Sequence, residues 1–193
     1  MGGDGQLAMF VCKQGKVKRY YCCSNNEYSM DFLYNTIKKE RDNYDFLKHI
    51  VPVVGNVWDS VYIKEKNGSK RMKADLVISF KMTKCLLLKQ GMNIDVMFET
   101  FMNYTAKHIL LDFEEISDIQ MQTAGFYVPK YYSLEWFITH MKKFFNVEKT
   151  EEIEKNRYMM LGSILWIKQK RWAWNLKHMK FIVYGKKYIK KYC

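Results

Sequence analysis

An α+β fold, with an antiparallel sheet core early in the chain and helices later, is what the sequence predicts, on three observations. Residues alternate between apolar and polar around Met72–Met82, broken only at Val77, as on a half-buried strand. Asn67-Gly68 just before it is a strong hairpin signal. Apolar residues at helical spacing follow Asn93 and Ser133. With 193 residues, 48% hydrophobic and 16% aromatic, the chain has apolar material for one core. Two prolines and no Ser/Gly/Pro-rich linker predict a single domain over 1–193. It divides into a mainly β part with one helix over 1–92, a helical part over 93–154 and a basic segment over 155–193.

Taken in order, Leu7–Val11 is short, apolar and β-prone, Gln14-Gly15 suits a tight turn, and Val17–Cys22 reads as the returning strand. Gly2-Gly3-Asp4-Gly5 precedes this first strand instead of following one, which argues against a phosphate-cradling turn. Ser29 is placed to cap a helix with Met30, Leu33, Tyr34 and Ile37 on one face. Pro52 and Gly55 break the pattern before a strand over Val57–Lys66. In the alternating strand, Met72, Ala74, Leu76, Ile78, Phe80 and Met82 share a face, and only Val77 interrupts the polar side. Cys85–Leu88 reads as a further short strand ending near Gly91. Asn93 caps a helix over 94–111 with Ile94, Met97, Phe98, Phe101 and Met102 on one face, and the acids Asp112, Glu114, Glu115 and Asp118 follow. Leu134, Phe137, Ile138 and Met141 continue the helical period after Ser133, and Thr150 with Glu151 and Glu152 marks a further helix start. Beyond Gly162 the period does not separate strand from helix.

No window approaches the ~20 uncharged residues of a membrane span, so no membrane partner is expected. Met1–Gln6 lacks the basic start and apolar run of a secretory signal, which predicts cytosolic synthesis. The five cysteines are odd in number and irregularly spaced, and the adjacent Cys22 and Cys23 on a strand face opposite ways. Neither the cysteines nor the four histidines have metal-ligand spacing, and no nucleophile pairs with a base, so a non-enzymatic protein without a metal is expected.

The net charge of +12 is concentrated at one end: from Lys155 onward there are 11 basic residues and no acid. Such a segment needs an anionic partner or acidic surface on neighbouring copies. Lys168, Lys170, Arg171, Trp172 and Trp174, with Lys186, Lys187, Lys190 and Lys191, are the candidate contact residues. Their interleaved aromatics and cations also suit a basic nucleic-acid-binding protein, the alternative function. Fourteen tyrosines would ionise near pH 10, where lysines lose charge, and Tyr20, Tyr21, Tyr131, Tyr132, Tyr184, Tyr188 and Tyr192 are singled out as pH-sensitive.

Gly5–Val11 with the Gly15 turn, the helix Phe32–Asn43 with its Lys/Glu/Arg/Asn end, the strand Lys70–Phe80 and the run Lys89–Val96 together resemble the cypovirus polyhedrins. The resemblance covers about half of the chain, and the family's usual amino-terminal arm is missing. It implies an α+β fold with an antiparallel β-sandwich core, packed helices and a helix-rich C-terminal part. It also implies a viral occlusion-body matrix protein: homotrimers packed into crystals in the host cell cytoplasm, protecting embedded virus particles and dissolving at alkaline pH. No cofactor is required on this reading, although members of the family can hold nucleoside triphosphates. The basic segment 155–193 is then expected to dock on adjacent copies in place of the arm.

Overall fold

The computed structural model describes residues 5–55, 69, 71–116, 127–165 and 179–185, the last segment by its backbone alone. Gly5 adopts a left-handed conformation (φ +81°) and starts α1 (Gln6–Lys13). The predicted opening strand is therefore a helix. Its buried residues Ala8 and Cys12 lie four apart, a spacing that a five-residue apolar run hides. A Cβ at Gly5 would stand 2.4 Å from Leu33 Cδ1, whereas Gly15, also at positive φ (+69°), has open space around it. Gly5→Ala should therefore cost more stability, about 1–3 kcal/mol, than Gly15→Ala at about 1 kcal/mol, a ranking that thermal melting of the two variants checks.

The chain turns from α1 into β1 (Val17–Ser24), the strand expected there. The helix α2 (Glu27–Glu40) follows, capped by Asn26, whose Oδ1 accepts the Ser29 amide at 3.2 Å; the cap thus falls three residues before the predicted one. A 3₁₀ turn (Asp45–His49) leads to β2 (Ile50–Val54), an edge strand that tolerates Pro52. The predicted strand Val57–Lys66 and its Asn67-Gly68 turn lie outside the described residues. Next comes β3 (Ala74–Phe80), and Cys85–Lys89, expected as a strand, forms a π-helical turn. Asn93 caps α3 (Ile94–Tyr104) as predicted, its Oδ1 accepting the Asp95 amide at 2.8 Å. The helix ends at Tyr104, and β4 (Thr105–Glu114) takes the residues assigned to its second half. Ser133 caps α4 (Leu134–Met141), again as expected. The helix predicted at Thr150 is instead part of the hairpin β5 (Phe145–Glu154) and β6 (Arg157–Ile164), turned by Asn156 at φ +63°. The last strand is β7 (Met179–Gly185).

These strands form one seven-stranded mixed sheet in the order β2-β1-β7-β3-β4-β6-β5. Strands β2, β1, β7, β3 and β4 run parallel, and β6 pairs antiparallel with both β4 and β5. Each face of the sheet carries its own core. Tyr20, Cys22 and Ile78 pack with Ala8, Cys12, Met30 and Leu33 of α1 and α2. Tyr21, Cys23, Val77, Ile109, Leu111 and Phe113 pack with Met97, Phe98 and Phe101 of α3 and Phe137 and Met141 of α4. Cys22 and Cys23 do face opposite ways. The architecture is a doubly wound α/β sheet, which corrects the expected antiparallel β-sandwich with a helix-rich C-terminal part. A sheet covered by helices on both faces buries successive residues of its strands, as at Val77, Ile78 and Ser79, so strict alternation is lost.

Candidate functional site

In an open α/β sheet, ligands bind outside the carboxyl ends of the strands at the point where strand order reverses. That point here is β7, with β1 and β2 to one side and β3 and β4 to the other. The carboxyl ends that meet there are Ser24, Gly185 and Phe80, with Glu114 one strand further on. Residues 14–16 turn the chain back from α1 into β1, which directs the amino end of α1, at Gly5, toward the same edge. Gly5, the residue at the cap position, has no side chain with which to cap α1.

The edge is built by polar contacts between distant parts of the sequence. Ser24 is buried; its Oγ accepts the Asn26 amide at 3.0 Å, and its carbonyl accepts the Gly55 amide at 3.0 Å. Lys81 leaves β3 at φ +57°, a strained conformation for a side-chain-bearing residue, and its amide donates to Asp112 Oδ1 at 2.6 Å. The Thr83 hydroxyl donates to the Asp112 carbonyl at 2.9 Å, and Lys84 pairs with Glu114 at 2.9 Å. Arg157 of β6 reaches Asp112 Oδ2 through Nη2 at 2.7 Å and Nε at 3.2 Å. Burial lifts the Asp112 carboxyl above the usual carboxylate range even against the Arg157 and Lys81 donors that favour its charge. The guanidinium loses solvation but stays charged, held there by Asp112 and Glu154.

Among the described residues two cavities border this edge. One, of about 650 Å³, lies between α2 and β2 and is lined by Glu27, Tyr28, Met30, Asp31, Tyr34, Pro52 and Val54. Glu27 and Asp31 are four residues apart on α2, so both carboxylates serve one face. The other, of about 640 Å³, lies between the π-helical turn and α4, with Leu87, Leu88 and Met92 on one side and Tyr127, Tyr131, Tyr132, Trp136 and His140 on the other. His140 Nδ1 lies 2.6 Å from Asp95 Oδ1, and Lys143 Nζ lies 2.9 Å from Asp95 Oδ2. No group of three His, Cys, Asp or Glu among the described residues could hold a metal ion.

Of the candidate residues read from sequence, Lys168, Lys170, Arg171, Trp172, Trp174, Lys186, Lys187, Lys190, Lys191, Tyr188 and Tyr192 lie outside the described residues. Tyr184 sits on β7 in register with Ser79. Tyr20 and Tyr21 are core residues on opposite faces of β1. The structure brings Tyr131 and Tyr132 together at the second cavity. Sequence reasoning missed Gly5, Glu27, Asp95 and His140. Gly5 carried a usable signal, a glycine run ahead of a helical Ala8/Cys12 spacing. Its exclusion assumed that a strand must precede it in sequence, and that assumption fails in a sheet whose central strand comes last of the seven. The Asp95–His140 pair, 45 residues apart, carried no local signal.

No protein-family model and no curated protein sequence matches the chain. Solved structures do resemble it. The N-methyltransferase NodS from Bradyrhizobium japonicum superposes with a TM-score of 0.55 at 10% identity, over 84% of this chain and 82% of that one. Magnesium protoporphyrin IX methyltransferase (ChlM) from Synechocystis, solved with bound SAH, gives 0.56 at 11% identity, over 84% and 70%. The PH0226 protein from Pyrococcus horikoshii gives 0.57 at 11% identity, over 84% and 78%. At such identity the likeness is one of fold, the Rossmann-like fold of NodS and ChlM. It overturns the resemblance to polyhedrins and, with it, the expectation of an occlusion-body matrix protein. The expectations of a non-enzymatic protein and of no required cofactor are corrected on the same ground: the fold is one used by enzymes, and ChlM carries SAH on it.

Proposed function

We propose that this chain is an S-adenosylmethionine-dependent methyltransferase. The observation that carries the reading is the doubly wound sheet, shared with methyltransferases, with a glycine-started helix and a carboxylate-lined cavity at the carboxyl-end edge of its strands. The residues present fit the cofactor. Gly5, where Leu33 stands in the place of a Cβ, lets the start of α1 close on α2 beside the carboxyl end of β1. The leading amides of α1 are suited to the carboxylate of its amino-acid end. β1 ends in Ser24 and not in an acid, so the ribose hydroxyls fall to Glu27, 22 residues after Gly5 in the first turn of α2. When bound, the cofactor supplies an activated methyl group on a sulfonium sulfur. The chain's own part is to hold it, orient an acceptor and exclude water.

Calorimetry with S-adenosylhomocysteine tests this. Saturable binding is expected, weakened by Glu27→Ala about tenfold, the loss of a charge-assisted hydrogen bond worth about 1.5–3 kcal/mol. Glu27 is solvent-exposed, so the variant should keep the melting temperature of the parent. No binding to the folded parent protein would overturn the reading.

A further inference from the structure

The cavity between the π-helical turn and α4 has features that a surface groove formed by chance would lack. Its aromatic wall is continuous: Trp136 lies 5.1 Å from Tyr131, 5.9 Å from Tyr132 and 5.3 Å from His140, measured between ring centres. The opposite side is mainly aliphatic, through Leu87, Leu88, Met92 and Ile94. Its volume of about 640 Å³ suits a small molecule.

Polar side chains interrupt the apolar lining, among them Asn93, Tyr127, Tyr131, Tyr132 and His140, and two of these stand out. Tyr132 is only 6% exposed, and its buried hydroxyl has no hydrogen-bond partner among the described residues. It stands near Asp112, Glu114 and Glu115, at the carboxyl end of β4, so the cavity adjoins the proposed cofactor edge. The second is His140. A ring nitrogen 2.6 Å from a carboxylate oxygen must carry the hydrogen, so Nδ1–H donates to Asp95, which leaves Nε2 as the acceptor whenever the ring is neutral. Asp95 is held in turn by Lys143, whose Nζ is also 3.1 Å from His140 Nδ1. A base oriented by a carboxylate is an arrangement that accepts a proton.

We propose that this cavity is the acceptor pocket of the same enzyme and takes a flat aromatic small molecule with an acidic hydroxyl, which stacks on Trp136 and gives its proton to His140. The inference rests on the methyltransferase reading. The proton moves from the aryl oxygen to Nε2, leaving an aryl oxide, the nucleophile that a sulfonium methyl donor requires. Among the described residues, the charged groups in contact with His140 are Asp95 on α3 and Lys143 just after α4, and the titratable Tyr127, Tyr131 and Tyr132 line the same cavity.

The probe is 4-nitrophenol, whose oxide absorbs apart from the neutral phenol. The parent protein should bind it saturably and ionise it at a lower pH than in free solution, while nitrobenzene, without the hydroxyl, should bind about tenfold more weakly. Trp136→Ala should weaken 4-nitrophenol several-fold through lost stacking. Should that variant fail to fold, Tyr131→Ala, at a position 60% exposed, replaces it. His140→Ala should bring 4-nitrophenol down to about the affinity of nitrobenzene and abolish the shift in ionisation, and Asp95→Asn should reduce that shift. An unsaturable probe, equal binding of nitrobenzene, or an unchanged oxide band in His140→Ala would each overturn the proposal. S-adenosylhomocysteine binding is measured beside each variant. Its retention with failure of the phenol sinks the acceptor pocket alone, whereas its absence in the parent sinks the methyltransferase reading.

Discussion

Arg157→Met should lower stability by about 3–5 kcal/mol, because it leaves the Asp112 carboxylate buried without its counter-charge. The side chains of Asp112 and Arg157 are 4% and 18% exposed, so water cannot take over from the guanidinium. For a chain of this size that loss is a fall of roughly 10 °C in melting temperature. Asp112→Asn added to Arg157→Met should recover part of it, since the neutral amide can still accept the Lys81 amide. The pH dependence separates this from a packing defect. Burial already raises the Asp112 carboxyl, so the folded state takes up a proton there before the unfolded chain does. Acidification toward the ordinary carboxylate pKa of about 3.9 therefore relieves the cost at this site. Without Arg157 the carboxyl rises further, and the deficit of Arg157→Met should narrow as pH falls from 7. Melting within 2 °C of the parent at pH 7 would count against a stabilising role for the pair.

Alkali should unfold the protein over a narrow range. Burial pushes the Cys12 thiol up to about 12 and, with a contribution from Cys22, the Cys23 thiol up to about 12. Burial likewise raises the Tyr20 and Tyr132 phenols, the first helped by neighbouring Cys22, Cys12 and Cys23, the second by Glu114, Asp112 and Glu115. In the unfolded chain the thiols ionise near 8.5 and the phenols near 10. Above those values the folded state holds protons the unfolded state has lost, so stability is fully present below about pH 8.5 and falls as pH rises. Each group contributes a slope of about 1.4 kcal/mol per pH unit. The two thiols alone should remove roughly 3 kcal/mol per unit above about pH 9, and the phenols steepen the loss above pH 10. Circular dichroism in graded urea from pH 7 to 11 measures this. Cys12→Ala with Cys23→Ala should move the onset up by about one pH unit. Stability unchanged to pH 10.5 would show that the four groups are not buried as described.

Local features were the legible part of this fold. Asn93 and Ser133 announce α3 and α4 because a cap acts within three residues. β1 and β3 were visible from their β-prone composition, and the opposed faces of Cys22 and Cys23 follow from the period of a strand. The misreadings share a cause: period and propensity are ambiguous in short apolar runs. Leu7–Val11 became helix where Ala8 and Cys12 meet Met30 and Leu33, and Thr150 became strand where β6 offers a pairing partner. Val77, the one breach of alternation in β3, was the trace of a sheet covered on both faces, and it was too slight to outweigh the five positions that conformed.

What the sequence determined by itself was therefore where helices α3 and α4 start, which residues of β1 share a face, and that positive charge gathers after Lys155. Only the tertiary structure decided that β3 runs parallel to β4 and β7, that the last strand lies at the centre, and that Asp112 meets Arg157 and Asp95 meets His140. The physical reason is range. Caps and periods act over one or two turns, whereas strand order and both charged pairs depend on chain closure over tens of residues, where no local preference distinguishes one partner from another.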